Sequence, residues 1–184
     1  MVGVSLALQL GSTLADDTSI CLIEGFPFPE KLLDGKPHYH PSFDARSTAL
    51  SYSSRLIYEN IGVWQDLEQW LCAIQSIHVS NRGRFGSTVL HARDYGWPAL
   101  GYVVENAWLG NALIQALYRQ GRVEVCSPAR VVSASPGDGS VRLTLEGSLY
   151  STLDAGLLLV ADGADSGLRD QLGVAVTENP YQQH

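Results

Sequence analysis

The sequence predicts an α/β fold in which helices alternate with apolar strands and a β-hairpin is inserted. Three stretches carry this prediction. "AGLLLVA" lacks polar alternation, which favours a strand covered on both faces, as in a parallel sheet. "ENAWLGNALIQALYRQG" has apolar residues at helical spacing and ends at Gly121. "RVVSAS" and "VRLTLE" flank "PGDG", which is a strong hairpin turn.

The remaining elements follow in chain order. The N-terminal apolar stretch predicts a buried helix that Gly11 ends, and "ICLIE" predicts a short strand. Residues 47–61 have the spacing of a helix, and "WQDLEQWL" predicts a second, shorter one. "AIQSIHVSNRGRFGSTVLHA" predicts two strands around a glycine-containing turn, with both arginines at an exposed tip. "VEV" predicts a strand before a break at Pro128.

Composition indicates a globular chain and argues against two classes of partner. The 184 residues are 45% hydrophobic and 17% charged. The net charge of -7, with Lys and Arg scattered, argues against nucleic acid and against a polybasic membrane surface. No apolar run approaches the roughly 18 residues that a membrane span requires. The N-terminus lacks the positive region of a signal peptide, so we expect no export.

The cysteine and histidine patterns predict no metal site. Cys21, Cys72 and Cys126 have apolar neighbours and no CxxC spacing, which predicts buried, reduced thiols. His38 and His40 could bind a metal, but a third ligand is not evident in the sequence, and we expect a solvated loop.

The strongest candidate for a binding site follows the apolar run. Asp162 and Gly163 come directly after it, and ligands of open α/β sheets bind beyond the carboxyl ends of the strands. A carboxylate can accept hydrogen bonds from sugar hydroxyls, and glycine lets a ligand approach the backbone. A helix opening near Ser166 would offer N–H groups to a phosphate. A plain strand–turn–helix with a solvated Arg169 explains the same residues equally well.

A second, weaker signal lies at the N-terminus. Gly3 begins an apolar helix, and Glu24 closes the next strand about 20 residues later, as in a dinucleotide-binding βαβ unit. Only the tail of the G-x-G-x-x-G fingerprint is present, because the first strand and two leading glycines would precede Met1.

Taken together, these segments resemble a known family. "MVGVSLALQL", "CLIE", "FDARSTALSYSS", "IGVWQDL", "LGYVVENAWLGNAL" and "LLLVADGADSGLRDQLGV" occur in the order found in FAD-dependent aromatic hydroxylases of ubiquinone biosynthesis. Within that family the chain looks most like the 2-octaprenyl-6-methoxyphenol hydroxylases, in the wider p-hydroxybenzoate hydroxylase-like group. The resemblance runs along essentially all of the chain. It implies a Rossmann-like, FAD/NAD(P)-binding three-layer sandwich with a β-hairpin extension and part of an α+β substrate domain.

Carried over residue by residue, the resemblance implies a cofactor site and no catalytic residue. Gly3 would be the last glycine of the dinucleotide loop, and Glu24 would bind the adenosine ribose. Arg46 would lie along the FAD pyrophosphate, near the flavin. These residue types suit the task, since carboxylates accept from hydroxyls and a guanidinium binds phosphate.

The resemblance also implies contacts on the flavin side. Glu105 and Asn106 would correspond to the position that touches this part of the cofactor. Asp162 and Gly163 would contact the ribose and the pyrophosphate. Arg169 would support that motif and is a candidate to meet NAD(P)H.

The implied activity is hydroxylation of a polyprenyl methoxyphenol with NAD(P)H and O2. The implied partners are that substrate and other proteins of ubiquinone biosynthesis, in the cytoplasm or at the periphery of the inner membrane. Residues 1–184 would form a partial FAD-binding domain, with residues 75–104 contributing to the substrate-domain sheet.

The chain departs from the family pattern at both ends. It lacks the first strand and two glycines, and it stops before a second Gly-Asp motif. We therefore expect it to bind FAD poorly or not at all. Two alternatives stay open: a catalytically silent fragment that acts as an interaction module, and a related flavin hydroxylase with another aromatic substrate.

Overall fold

The computed structural model describes residues 1–28 and 46–177. Its helices are α1 (Val2–Thr13), α2 (Tyr52–Asn60), α3 (Trp64–Leu67), α4 (Asn106–Gln120) and α5 (Gly167–Gln171), with 3₁₀ turns at Glu68–Trp70 and Ala92–Tyr95. Its strands are β1 (Ile20–Ile23), β2 (Ser47–Ser51), β3 (Cys72–Ile74), β4 (Ser76–Ser80), β5 (Ser87–His91), β6 (Gly101–Glu105), β7 (Val123–Cys126), β8 (Arg130–Pro136), β9 (Val141–Glu146) and β10 (Thr152–Ala155). The chain forms two compact units, one of Met1–Leu22 and Phe28–Glu124, the other of Ile23–Pro27 and Val125–His184.

The first unit is organised around the sheet β2-β6-β3 and helix α4. β6 is the middle strand and pairs antiparallel with both neighbours. Helix α4 packs against α1, α3 and β6, and its apolar residues Leu109, Leu113 and Leu117 are buried. Gly121 ends α4 in the left-handed conformation, with its N–H donating to the Leu117 carbonyl, as the sequence predicts.

Two hairpins follow the sequence prediction. β4 and β5 pair antiparallel, and the turn between them is fully exposed. β8 and β9 pair antiparallel around the "PGDG" turn, where the Gly137 N–H donates to the Ser140 carbonyl. In the second unit these strands continue into the sheet β10-β9-β8, on which α5 packs. Gln171 Nε2 donates to the Val132 carbonyl of β8.

The prediction of a single helix over residues 47–61 is wrong in its first third. Ser47–Ser51 forms strand β2, and the helix begins only at Tyr52. Along β2 the side chains of Thr48 and Leu50 are partly or fully buried, while their neighbours are exposed, which is the period of a strand. Ser51 then caps α2, since its hydroxyl accepts from the Ser54 N–H.

Gly11 does not end the first helix, which continues to Thr13. Instead it permits a close approach of α4, because a Cβ at this position would collide with the Gln120 side chain. Gln120 Nε2 donates to the Leu8 carbonyl and to Ser12 Oγ, both at 2.9 Å. A glycine that the sequence analysis interprets as a terminator is thus a packing residue.

The prediction for the apolar run is also wrong. Leu157–Val160 forms no strand, and no strand of the described ranges hydrogen-bonds to it. Leu157 is 74% exposed, Leu159 48% and Val160 39%. An apolar segment becomes a covered strand only when neighbouring strands satisfy its backbone, and β10, just before the run, pairs only with β9.

Other predictions are met in part. The fold contains both helices and strands, but every strand pair of known direction within residues 1–28 and 46–177 is antiparallel. The three-layer layout therefore stays a prediction. Cys126 is buried and Cys21 partly buried, whereas Cys72 is exposed at the start of β3.

Candidate functional site

Three of the predicted cofactor residues, Arg46, Glu105 and Asn106, lie together where β2 begins and β6 ends. The ladder places Ser47 opposite Glu105, and the Asn106 N–H donates to the Arg46 carbonyl at 2.9 Å. Because the strands are antiparallel, the start of one meets the end of the other, so residues far apart in sequence become neighbours. Helix α4 begins at Asn106, so the positive end of its dipole lies at this cluster.

The Asn106 side chain is held within this cluster. It is only 8% exposed, and its Oδ1 accepts a hydrogen bond from Thr48 Oγ1 at 2.5 Å. Thr48 is absent from the residues that the sequence analysis singles out. The pattern of β2 contains the missing signal, since Thr48 alternates with Leu50 on the partly buried face of a strand that was interpreted as helix.

The Asp162 motif forms an exposed turn ahead of α5. Gly163 has φ of 100°, a conformation that side chains rarely adopt, and space is open where its Cβ would be. Ser166 is buried and caps α5 by accepting from the Arg169 N–H at 3.0 Å. Arg169 donates to the Ala164 carbonyl at 2.6 Å, so it braces the turn locally. Its contact with NAD(P)H stays a prediction.

Glu24 and Gly3 belong to the N-terminal part of the chain. Glu24 follows β1, and its carboxylate accepts from the Phe26 N–H at 3.1 Å. Its backbone bridges two further residues, with the N–H donating to Cys126 and the carbonyl accepting from Ala129. Gly3 is the second residue of α1. The convergence of Glu24, Arg46 and Asp162 on one cleft stays a prediction.

A cleft of about 270 Å³ lies elsewhere in the first unit and contains none of the predicted cofactor residues; its lining is Arg55, Trp64, Glu68, Leu71, Ala73 and Tyr102. The Arg55 guanidinium donates to Glu59 and to the Tyr102 hydroxyl, at 2.8 and 2.9 Å. The hydrogen bond to Glu59 is the largest cause that raises the pKa of Arg55. Arg55 also lies over the ring of Trp64, so this cluster joins α2, α3 and β6 and is structural.

The donor set suits a dinucleotide more than a metal ion. Carboxylates at Glu24 and Asp162 match ribose hydroxyls, and the Arg46 guanidinium matches a phosphate. The open space at Gly163 would let a ligand reach the backbone. In residues 1–28 and 46–177, no three Cys, His, Asp or Glu side chains group as metal ligands, and His38 and His40 lie outside these ranges.

The fold is that of flavin-dependent monooxygenases. The crystal structure of the flavin-dependent monooxygenase PieE, in complex with FAD and substrate, matches 94% of this chain with a TM-score of 0.68 at 17% identity, over 30% of its own length. The p-nitrophenol 4-monooxygenase PnpA from Pseudomonas putida DLL-E4 matches 94% with a TM-score of 0.65 at 16% identity, over 41% of its own length.

The curated relatives define a narrower class. The chain is 31% identical to 3-demethoxyubiquinol 3-hydroxylase of Escherichia coli over its whole length, and 28% identical to the ubiquinone hydroxylase UbiL of Rhodospirillum rubrum. The match covers 44% and 41% of these relatives, so the chain spans less than half the length of either. No family model matches the chain. The resemblance to ubiquinone hydroxylases that the sequence predicts is confirmed.

No helix within the described ranges has the length and apolar character needed to cross a membrane.

Proposed function

We propose that this chain carries the flavin-binding part of an aromatic hydroxylase of ubiquinone biosynthesis, acting on a polyprenyl phenol with NAD(P)H and O2. The observation that carries the proposal is the meeting of Arg46, Glu105 and Asn106 at the β2–β6 edge. These residues are predicted independently to contact one cofactor, and the backbone bond between Arg46 and Asn106 makes them neighbours. The names of the curated relatives support the pathway, and the solved structures support the fold.

FAD, when bound, supplies the redox chemistry between NAD(P)H, O2 and the phenol. The chain's own residues bind and orient it. Arg46 holds the pyrophosphate, Asn106 and Glu105 lie against the flavin side, and Glu24 and Asp162 accept hydrogen bonds from ribose hydroxyls. Arg169, by bracing its turn, keeps the backbone at Gly163 accessible to the cofactor.

The domain assignment belongs to the same proposal. Residues 1–184 form the FAD-binding part, in a three-layer arrangement, and residues 75–104 contribute to the sheet that covers the substrate. The exposed β4–β5 hairpin lies within that range and supports this assignment, because both of its faces are solvent-accessible. The protein works in the cytoplasm, at most peripherally on the inner membrane.

The test is a titration with FAD followed by flavin fluorescence. We expect this chain to bind FAD weakly, because Gly3 lies in an untethered first turn, and ordering a terminus costs roughly 1–2 kcal/mol per residue. Joining the leading strand and glycine turn of the Escherichia coli relative ahead of Met1 should tighten binding strongly.

Two variants and two contrary results sharpen the titration. Asp162→Asn should weaken binding several-fold, while Asp138→Asn, an exposed carboxylate in the β8–β9 turn, should leave it unchanged. Absence of FAD binding by the joined protein would refute the flavin assignment and favour the silent interaction module. Submicromolar binding by the chain alone would contradict the expected weakness and leave the flavin assignment standing.

A further inference from the structure

We propose that Thr48 is a positioning residue that fixes the orientation of the Asn106 carboxamide at the flavin site. The inference rests on the proposed function, since it assigns Asn106 to the flavin side of the cofactor. It goes beyond that function by assigning a role to a residue that makes no predicted contact with FAD itself.

The geometry at Thr48 determines which end of the amide points where. Thr48 Oγ1 and Asn106 Oδ1 are 2.5 Å apart, and a carboxamide oxygen can only accept. The hydroxyl therefore donates its proton to Oδ1, which directs the two N–H donors of Nδ2 away from Thr48. The side chain presents donors, not an acceptor, on its other side.

The surroundings make this orientation stable. Asn106 is 8% exposed, so a rotation of the amide by half a turn would place Nδ2 against the hydroxyl and cost a buried hydrogen bond. The backbone is fixed as well, because the Asn106 N–H donates to the Arg46 carbonyl and Thr48 pairs with Val104 in the β2–β6 ladder. Thr48 thus acts from a rigid strand on the first residue of a rigid helix.

The consequence concerns the chemistry presented to the ligand. The ring carbonyls and unprotonated ring nitrogens of a flavin are hydrogen-bond acceptors, and an amide N–H2 suits them. Loss of the Thr48 hydroxyl would allow the amide to flip and place an oxygen opposite such an acceptor. Thr48→Val, which keeps the β-branched shape, should therefore weaken FAD binding about three- to tenfold and shift the visible absorption of the bound flavin.

Thr48→Ser is the rescue variant, because it keeps the hydroxyl. It should restore both affinity and spectrum. Thr88→Val is the matched control: Thr88 is an exposed strand residue of β5, in the same unit, and its replacement should change neither readout.

A second measurement tests the hydrogen bond without FAD. The side-chain ¹⁵N relaxation of Asn106 should show an ordered amide in the wild-type chain and in Thr48→Ser, and a mobile one in Thr48→Val. If the amide keeps its order in Thr48→Val, the proposed positioning is wrong. If order is lost while affinity and spectrum stay unchanged, Thr48 has only a structural role and the proposal fails.

The proposed function can fail separately. A wild-type chain that shows no flavin binding even at millimolar FAD, but whose Asn106 amide responds to Thr48 as expected, would refute the flavin role and with it the functional meaning of the contact. The hydrogen bond itself would then stand as a fold contact alone.

Discussion

Gly101 lies at the most crowded point of the sheet β2-β6-β3, and its replacement by alanine should destabilise the first unit. It is buried at the start of the middle strand, opposite Ser51 on one side and Ile74 on the other. A Cβ there would lie 2.5 Å from the carbonyl oxygen of Leu50, closer than real Cβ contacts come. That oxygen belongs to the backbone, so β2 or β6 must shift to admit the methyl group.

Two opposing terms set the magnitude. Adding a methyl group to a packed site costs about 1–3 kcal/mol. Replacing glycine restricts the unfolded chain, which returns about 0.4–1 kcal/mol. We therefore expect Gly101→Ala to lower the free energy of unfolding by about 1–2 kcal/mol.

Gly11→Ala provides the comparison, because the atom in its way is the end of the flexible Gln120 side chain. Moving that side chain sacrifices its hydrogen bonds to Leu8 and Ser12, but alanine improves the helix by about 0.5–1 kcal/mol. The net change should be smaller than for Gly101→Ala.

Tryptophan fluorescence during urea unfolding is the suitable assay, since all four tryptophans fall in the same unit as Gly101 and Gly11. A midpoint for Gly101→Ala at or above that of the wild type would refute the reasoning. So would a larger loss in Gly11→Ala.

Two further predictions concern the second unit. The hydrogen bond from Arg142 lowers the pKa of Asp154, so this pair stabilises the fold above the ordinary carboxyl pKa and ceases to do so as pH falls through the lowered value. In Arg142→Met the carboxyl ¹³C titration of Asp154 should return to near its ordinary pKa of about 3.9, and an unchanged titration would contradict the ion pair. Leu157→Thr should change the free energy of unfolding by less than about 0.5 kcal/mol, because this side chain is exposed. Leu143→Ala, in the buried part of β9, should cost about 2–5 kcal/mol by far-UV circular dichroism, and equal losses would show that the 157–160 run is covered in solution.

Local signals in the sequence predict some elements well. Helix α4 has an apolar stripe and a glycine stop, and both lie within one element, so no distant partner is needed to specify it. The hairpin β8–β9 likewise depends on a turn of four residues.

Elements that depend on distant residues are predicted less well. The segment Ser47–Ser51 has serines and an alanine compatible with helix, and it becomes a strand because β6, more than 50 positions away, pairs with it. The 157–160 run shows the opposite error. Its apolar pattern is right for a covered strand, but coverage depends on partner strands that the local pattern does not contain.

The candidate site divides in the same way. Residue chemistry and the family resemblance predict Arg46, Glu105 and Asn106, but they do not predict Thr48, whose importance comes from a contact between two elements. A polar side chain on the buried face of a strand becomes informative only when the strand itself is recognised.

The central claim is that FAD binds at the ends of β2 and β6 and at the Asp162 turn. The most direct measurement is the change in backbone amide NMR shifts of the ¹⁵N-labelled chain as FAD is added. The account predicts changes concentrated at residues 46–48, 105–107 and 162–169. Changes centred on the cleft of Arg55, Trp64 and Tyr102, or spread without a centre over the surface, would contradict it.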